Sequence, residues 1–195
     1  MRHFLPAVFL SLLLASCGAA NSGVNPDPNH THGDFAIWID GKQLDLSGEQ
    51  YMSGSSDETE HSQELSQYLH LHDGNGHVLH RHKPGLTLGE FVDSLPGMHY
   101  GENKLVFRDC LHCQYAKGTF EVRLFVNGTE NPAGSTYVFS DLDSLLITNA
   151  TDPVELRMQQ RSMTDDACLY SKTCPERGKA PTEGCIADPT VPCKL

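Results

Sequence analysis

Six of the eleven histidines in this 195-residue chain fall in three His-x-His pairs: His30-Thr-His32, His70-Leu-His72 and His80-Arg-His82. On a β-strand, residues two apart face the same side, so each pair can aim two imidazoles at one point. A neutral imidazole offers one nitrogen lone pair, and such ligands suit Zn, Cu, Ni or Fe. Zn and Cu are the leading cofactors, as one or two ions. The competing reading, a pH-sensitive or merely polar face, is the weaker because all three pairs lie within residues 30–82.

His70, His72, His80 and His82 flank the turn-rich stretch Asp73-Gly-Asn-Gly-His77, which predicts a hairpin. A two-residue Asn75-Gly76 loop would set His72 opposite Leu79 and mix His with Leu on both faces. A three- or five-residue loop sets His70 opposite His80, gathers all four imidazoles on one face and leaves Leu69, Leu71 and Leu79 on the other. Register follows the hydrophobic pattern, so the odd loop is preferred. His30 and His32 then complete the site or build a second. Asp34 and Asp73 are candidate ligands, or acceptors that hold ring tautomers. Arg81 and Lys83, as cations beside the cluster, would favour neutral imidazole.

The cysteines offer other chemistry. Cys110, Cys113, Cys168, Cys174, Cys185 and Cys193 can close as three disulfides in an oxidising compartment. Four of them crowd a C-terminal stretch with little apolar content, which predicts a disulfide-stapled tail with two bridges among Cys168, Cys174, Cys185 and Cys193. Cys110-x-x-Cys113 sits between two strand signals and lacks the strand-then-helix setting of a thioredoxin-like pair; a structural disulfide is favoured over metal or redox roles. Met98-His99 reads as packing at a helix end before a copper site. H-E-x-x-H, G-x-S-x-G and a Gly-rich phosphate loop are all missing from the sequence, so no catalytic residue is assigned.

Short strands must carry these groups. Phe35 to Ile39, Asp40-Gly41 and Leu44 to Leu46 predict a hairpin with a type I′ turn. Lys104 to Phe107, Phe120 to Val126, Tyr137 to Phe139 and Leu145 to Thr148 supply further strands, and Ser53 to Glu64 is an exposed loop. Thr87-Leu-Gly-Glu90 is a capping box that opens a helix to Leu95, and Asp152-Pro153 opens another to about Met163. The order predicts an α+β, β-rich fold, with a β-grasp-like sheet as its topology. The domain reading is 30–150 for the His-rich β domain, 151–165 for a helix and 166–195 for the Cys-rich tail.

The first residues predict a compartment. Phe4 to Leu14 is apolar but too short to span a bilayer, and follows a basic start at Arg2. Leu14-Ala-Ser-Cys17 resembles the lipobox of bacterial lipoproteins. That resemblance implies a signal peptide over 1–16, acylation of Cys17 (palmitate included) and, with Gly18 after the Cys, the outer membrane of a Gram-negative envelope; the alternative is an ordinary secretory signal cleaved after Ala20. Asn21-Ser-Gly23 and Asn25-Pro-Asp-Pro28 make residues 17–29 a flexible tether. The formal charge of −11 becomes −12 once Arg2 is removed, which argues against nucleic acid as partner.

The segments His32-Gly-Asp-Phe35, His70 to His82, Thr87-Leu-Gly-Glu-Phe91 and Cys174-Pro-Glu-Arg-Gly178 resemble those of uncharacterised His-rich extracytoplasmic proteins of bacteria and archaea. The likeness spans roughly residues 30–187 and implies a shared fold and metal binding. Taken together, these features predict a lipid-anchored envelope protein that captures, buffers or delivers Zn or Cu. Its partners would be the membrane and a metal transporter or acceptor protein. The alternatives are a metalloenzyme whose ion activates water or oxygen, and a structural or adhesion lipoprotein with a structural metal.

Overall fold

The longest strand, β1 (Thr31–Ile39), sets the plan of the molecule, because its side chains alternate between two different environments. The computed structural model describes residues 23–27, 29–53, 67–109, 115 and 117–179. Cys17, Cys110, Cys113, Cys185 and Cys193, most of the loop expected from Ser53 to Glu64, and the end of the Cys-rich tail lie outside these residues. So do the leader and the first part of the tether.

Around β1 lie β2 (Lys42–Gln43), β3 (Leu69–His70), β4 (Val78–Arg81), β8 (Arg123–Val126), β9 (Thr129–Asn131) and β10 (Ser144–Thr148). They form one sheet in the order β3-β4-β1-β10-β8-β9, with β2 also paired to β1. Strand β1 runs antiparallel to β4 and parallel to β10. Among the described residues the first and last strands are therefore the parallel central pair of this α+β fold. A smaller sheet, β5 (Met98–Gly101), β6 (Lys104–Phe107) and β7 (Gly118–Glu121), stands apart.

Phe35, Ile37 and Ile39 of β1 point to one side, with Leu145 and Ile147 of β10, Leu124 of β8 and Leu79 of β4. Helix α1 (Leu88–Ser94) covers that side. Its Leu88, Phe91 and Val92 are fully buried, and the Phe91 ring meets Phe35 edge-on with centroids 5.0 Å apart. The helix starts where the sequence says. The Thr87 hydroxyl accepts from the Glu90 amide at 3.2 Å, while the Glu90 carboxylate accepts from the Thr87 amide at 2.7 Å, a reciprocal capping box.

The opposite side of the sheet is divided. Ala36, Leu146 and Phe125 form a small second core, with Leu156 and Met163 packed on it. Leu156 belongs to helix α2 (Pro153–Arg161), whose first turn is capped by Asp152 accepting from the Val154 amide at 2.9 Å. Beyond it, α3 (Ala167–Tyr170) lies against β1. On this side the β1 residues His32 and Asp34 continue the row that Ala36 and Trp38 begin.

Local signals predicted local elements well. Asp40 and Gly41 have φ of 50° and 75°, the left-handed pair a type I′ turn needs, and Ile39 pairs with Lys42 across them. The paired stretch is Lys42–Gln43, just before Leu44 and Leu46, which turn into the core while Asp45 between them stays exposed. Two strand expectations are corrected. Phe120 to Val126 is two strands, since Val122 leaves one sheet for the other, buried and donating to the Asn103 carbonyl at 2.8 Å. Tyr137 to Phe139 is extended but unpaired in a sheet; Tyr137 instead donates its hydroxyl to Asp143 and Phe139 fills the core.

The β3–β4 hairpin takes the odd loop. His70 pairs with His80 and Leu69 with Arg81. That register sets His72 opposite Val78 and leaves residues 73–77 as the loop. Asp73 and Gly74 make the turn, with φ of 58° and 68°, and the Asn75 amide closes it on the His72 carbonyl. The Asn75 side-chain oxygen then accepts from the amides of His77 and Val78. Gly76 is wedged against the chain at Leu46 and Ser47: a Cβ there would stand 2.4 Å from the Leu46 carbonyl carbon. Gly76→Ala should therefore cost about 1–3 kcal/mol, the usual range for overpacking, and be seen as a lower urea midpoint. A variant as stable as wild type would show that the loop is not held by this contact.

Candidate metal centre

The pairing β3-β4-β1 lines up the histidines. His70 lies opposite His80, and His80 lies opposite His32 on its other side. His82, two residues past His80, and His30, two residues before His32, extend the same face at the strand ends. Ring centroids lie 3.9 Å apart for His30–His82, 4.4 Å for His30–His32, 4.8 Å for His32–His80, 4.1 Å for His72–His80 and 4.8 Å for His70–His82. All six predicted ligands thus come together in one cluster. His32, His70, His80 and His82 are buried, and His30 and His72 are partly covered.

Within the cluster, one ligand nitrogen from each of His30, His80 and His82 lies within 4.8 Å of the others. Three imidazole nitrogens this close are a donor set suited to a late first-row transition metal, whose Zn–N bonds run to about 2.0–2.1 Å. Among the described residues these three form a group able to hold a metal ion.

The chain before β1 is fastened to the cluster. Asn29 is buried and donates its side-chain amide to the His82 carbonyl at 3.0 Å, and Asn25 donates to the His30 carbonyl at 2.8 Å. The stretch read as a tether is thus anchored by Asn25, and the backbones bearing His30 and His82 are tied together.

From the other direction the C-terminal segment closes over the rings. The Tyr170 ring lies 4.8 Å from His80, 5.7 Å from His32 and 5.9 Å from His72, centroid to centroid. Its hydroxyl accepts from the Asn75 side chain at 3.0 Å, linking the cover to the hairpin loop. Ser171 is fully buried, donates to Asp141 Oδ1 at 2.6 Å and meets His32 Nδ1 at 2.7 Å. Cys168 and Cys174 are joined in a disulfide, Cα atoms 5.5 Å apart, so Tyr170 and Ser171 ride in a closed loop. Part of the stapled tail is therefore a wall of the centre.

Tyr170, Ser171 and Asp141 were not among the predicted site residues. Ser171 reaches His32 across 139 positions of chain and Asp141 across 30, spacings that no local pattern reveals. The available signal was an aromatic residue between two close cysteines in an otherwise polar tail.

Other groups take different places from those expected. Asp34 is no acceptor for a ring. It accepts from the Thr164 hydroxyl at 2.6 Å and from the amides of Asp166 and Ala167 at 2.8 and 3.2 Å, pinning the C-terminal segment to β1. Burial pushes its carboxyl up from the ordinary range, against the lowering effect of those three bonds. Asp73 does meet a ring, His72 Nδ1, at 2.9 Å. Arg81 alternates away from the imidazoles: its guanidinium donates to Thr31 at 3.2 Å and lies 4.7 Å over the Phe139 ring. Lys83 sits 5.1 Å over the Tyr68 ring. Met98 is core, and His99 pairs with Asp93 at 2.9 Å, both apart from the cluster.

Compared with known proteins, the chain matches no family model, no curated sequence and no solved structure. No helix among the described residues is long and apolar enough to cross a membrane.

The Cys168–Cys174 loop yields a direct expectation. Closing so short a loop contributes about 2 kcal/mol by chain entropy. Cys168→Ser with Cys174→Ser should lower stability by that order and speed amide exchange over residues 167–173 while β1 amides stay protected. Unchanged exchange at 167–173 would show that the hydrogen bonds of Asp34 and Ser171 hold the cover without it.

Proposed function

We propose that this protein binds a transition metal, Zn or Cu, and holds it for capture, buffering or delivery in the cell envelope. The convergence of His30, His80 and His82 within 4.8 Å is the observation that carries the reading. Burial of His80 and His82, with the Tyr170 ring against His80, supports retention of the ion rather than an open coordination position for catalysis. The Cys168–Cys174 disulfide suits an oxidising compartment, which supports export. The lipid anchor at Cys17, the outer-membrane location and an exchange partner in the envelope complete the proposal.

Two measurements test it. Protein purified without a His tag should bind Zn or Cu by elemental analysis after dialysis, and His30→Ala with His82→Ala should lose at least one equivalent of that metal. Equal metal content in the double variant would remove the assignment. For the anchor, the mature protein should fractionate with membranes and partition into detergent. Acyl chains contribute about 0.8 kcal/mol per buried CH₂, so Cys17→Ser should shift it to the soluble fraction or leave the precursor unprocessed. A wild-type protein found soluble with its N-terminus beyond Cys17 would refute the anchor.

A further inference from the structure

Three imidazoles remain once His30, His80 and His82 are assigned, and each stands one ring away from that group. His32 and His72 both lie against His80, and His70 lies against His82. Zn takes four ligands in its structural sites. Six imidazoles exceed one such shell by two, and the two to consider are those on the Tyr170 side, His32 and His72.

Hydrogen bonding fixes which nitrogen each of these presents. The Asp141 carboxylate only accepts, so the 2.6 Å bond uses the single hydroxyl proton of Ser171. The Ser171 oxygen must then accept from His32 Nδ1 at 2.7 Å, which puts the proton on Nδ1 and the lone pair on Nε2. His72 is set the same way, with Nδ1 donating to Asp73 Oδ2 at 2.9 Å. An imidazole whose Nδ1 is wired to a carboxylate, directly or through a hydroxyl, has the outer-shell arrangement that orients metal-binding histidines. Two residues carry it here, His32 on β1 and His72 two residues past the end of β3. Both meet the same two rings, His80 and Tyr170.

Building on the metal-binding reading above, we propose that the cluster is a two-ion centre: His32 and His72 present Nε2 to a second late first-row cation, bound beside the His80 ring on the side closed by Tyr170. His70 then belongs with His30, His80 and His82, giving the first ion a four-imidazole neighbourhood. Ser171, Asp141 and Asp73 are positioning residues that act through the two rings.

The test is a titration of the full-length, untagged, metal-free protein with Zn(II) and, separately, with Cu(II), counting bound ions after dialysis. Wild type should hold two per chain, and with Cu(II) its paramagnetic resonance signal should be broadened or diminished relative to a one-copper sample. His32→Ala with His72→Ala should hold one. Because His32 is buried and that variant can fail to fold, Ser171→Ala with Asp73→Asn provides the second readout. It should weaken the second equivalent about ten- to a hundredfold while the first is unchanged, the usual effect of losing such partners. One ion in wild type would overturn the two-ion centre and leave the single site standing, as would a second equivalent unaffected by Ser171→Ala with Asp73→Asn. No ion in wild type would overturn both readings.

Discussion

The register of three strands governs this molecule. His70, His80 and His32 are consecutive partners across β3, β4 and β1, and period two places Leu69, Leu79 and Phe35 on the reverse of the same strands. A slip of one residue between β4 and either neighbour would drive imidazoles into the apolar core and leucines toward the ligands. The burial of Leu69, Leu71 and Leu79 is therefore what holds the histidines in line. The apolar core specifies the polar centre, although the two never touch the same side of the sheet.

A sheet face that buries polar rings has to be closed with polar bonds, since unpaired polar groups away from water are costly. The chain meets this constraint by dividing the face. Toward Ala36, Leu146 and Phe125 the cover is the apolar edge of α2; toward His32 and His80 it is Tyr170 and Ser171, with Asp141 behind them. Asp34 stands at the boundary, and its bonds to Thr164, Asp166 and Ala167 decide where the cover changes character. A carboxylate that looks like a ligand beside His32 in sequence is in fact the clamp for the wall that faces His32.

What the sequence made legible was short-range. The Asp40-Gly41 turn, the Thr87–Glu90 capping box and the pairing of His70 with His80 each depend on residues a few positions apart, so their physics is written in adjacent letters. The gathering of His30 and His32 with the hairpin was foreseen as one of two arrangements, and pairing of His32 with His80 selects it. Tyr137 to Phe139 has the β-branched and aromatic composition of a strand but joins no sheet among the described residues, and Phe120 to Val126 crosses between sheets at Val122. Pairing partners, like the approach of Ser171 to His32, are settled by tertiary packing that composition does not carry.

The order of these parts along the chain also orders events in time. All six imidazoles lie within residues 30–82, whereas Tyr170, Ser171 and the Cys168–Cys174 bridge come close to ninety positions later. β10, which must join β1 to complete the sheet, is likewise late. A chain synthesised from its N-terminus thus displays all six imidazoles before the Tyr170 segment that lies over them has emerged. Covering of the rings therefore waits on a segment made late in the chain, and the Cys168–Cys174 bridge closes only after it.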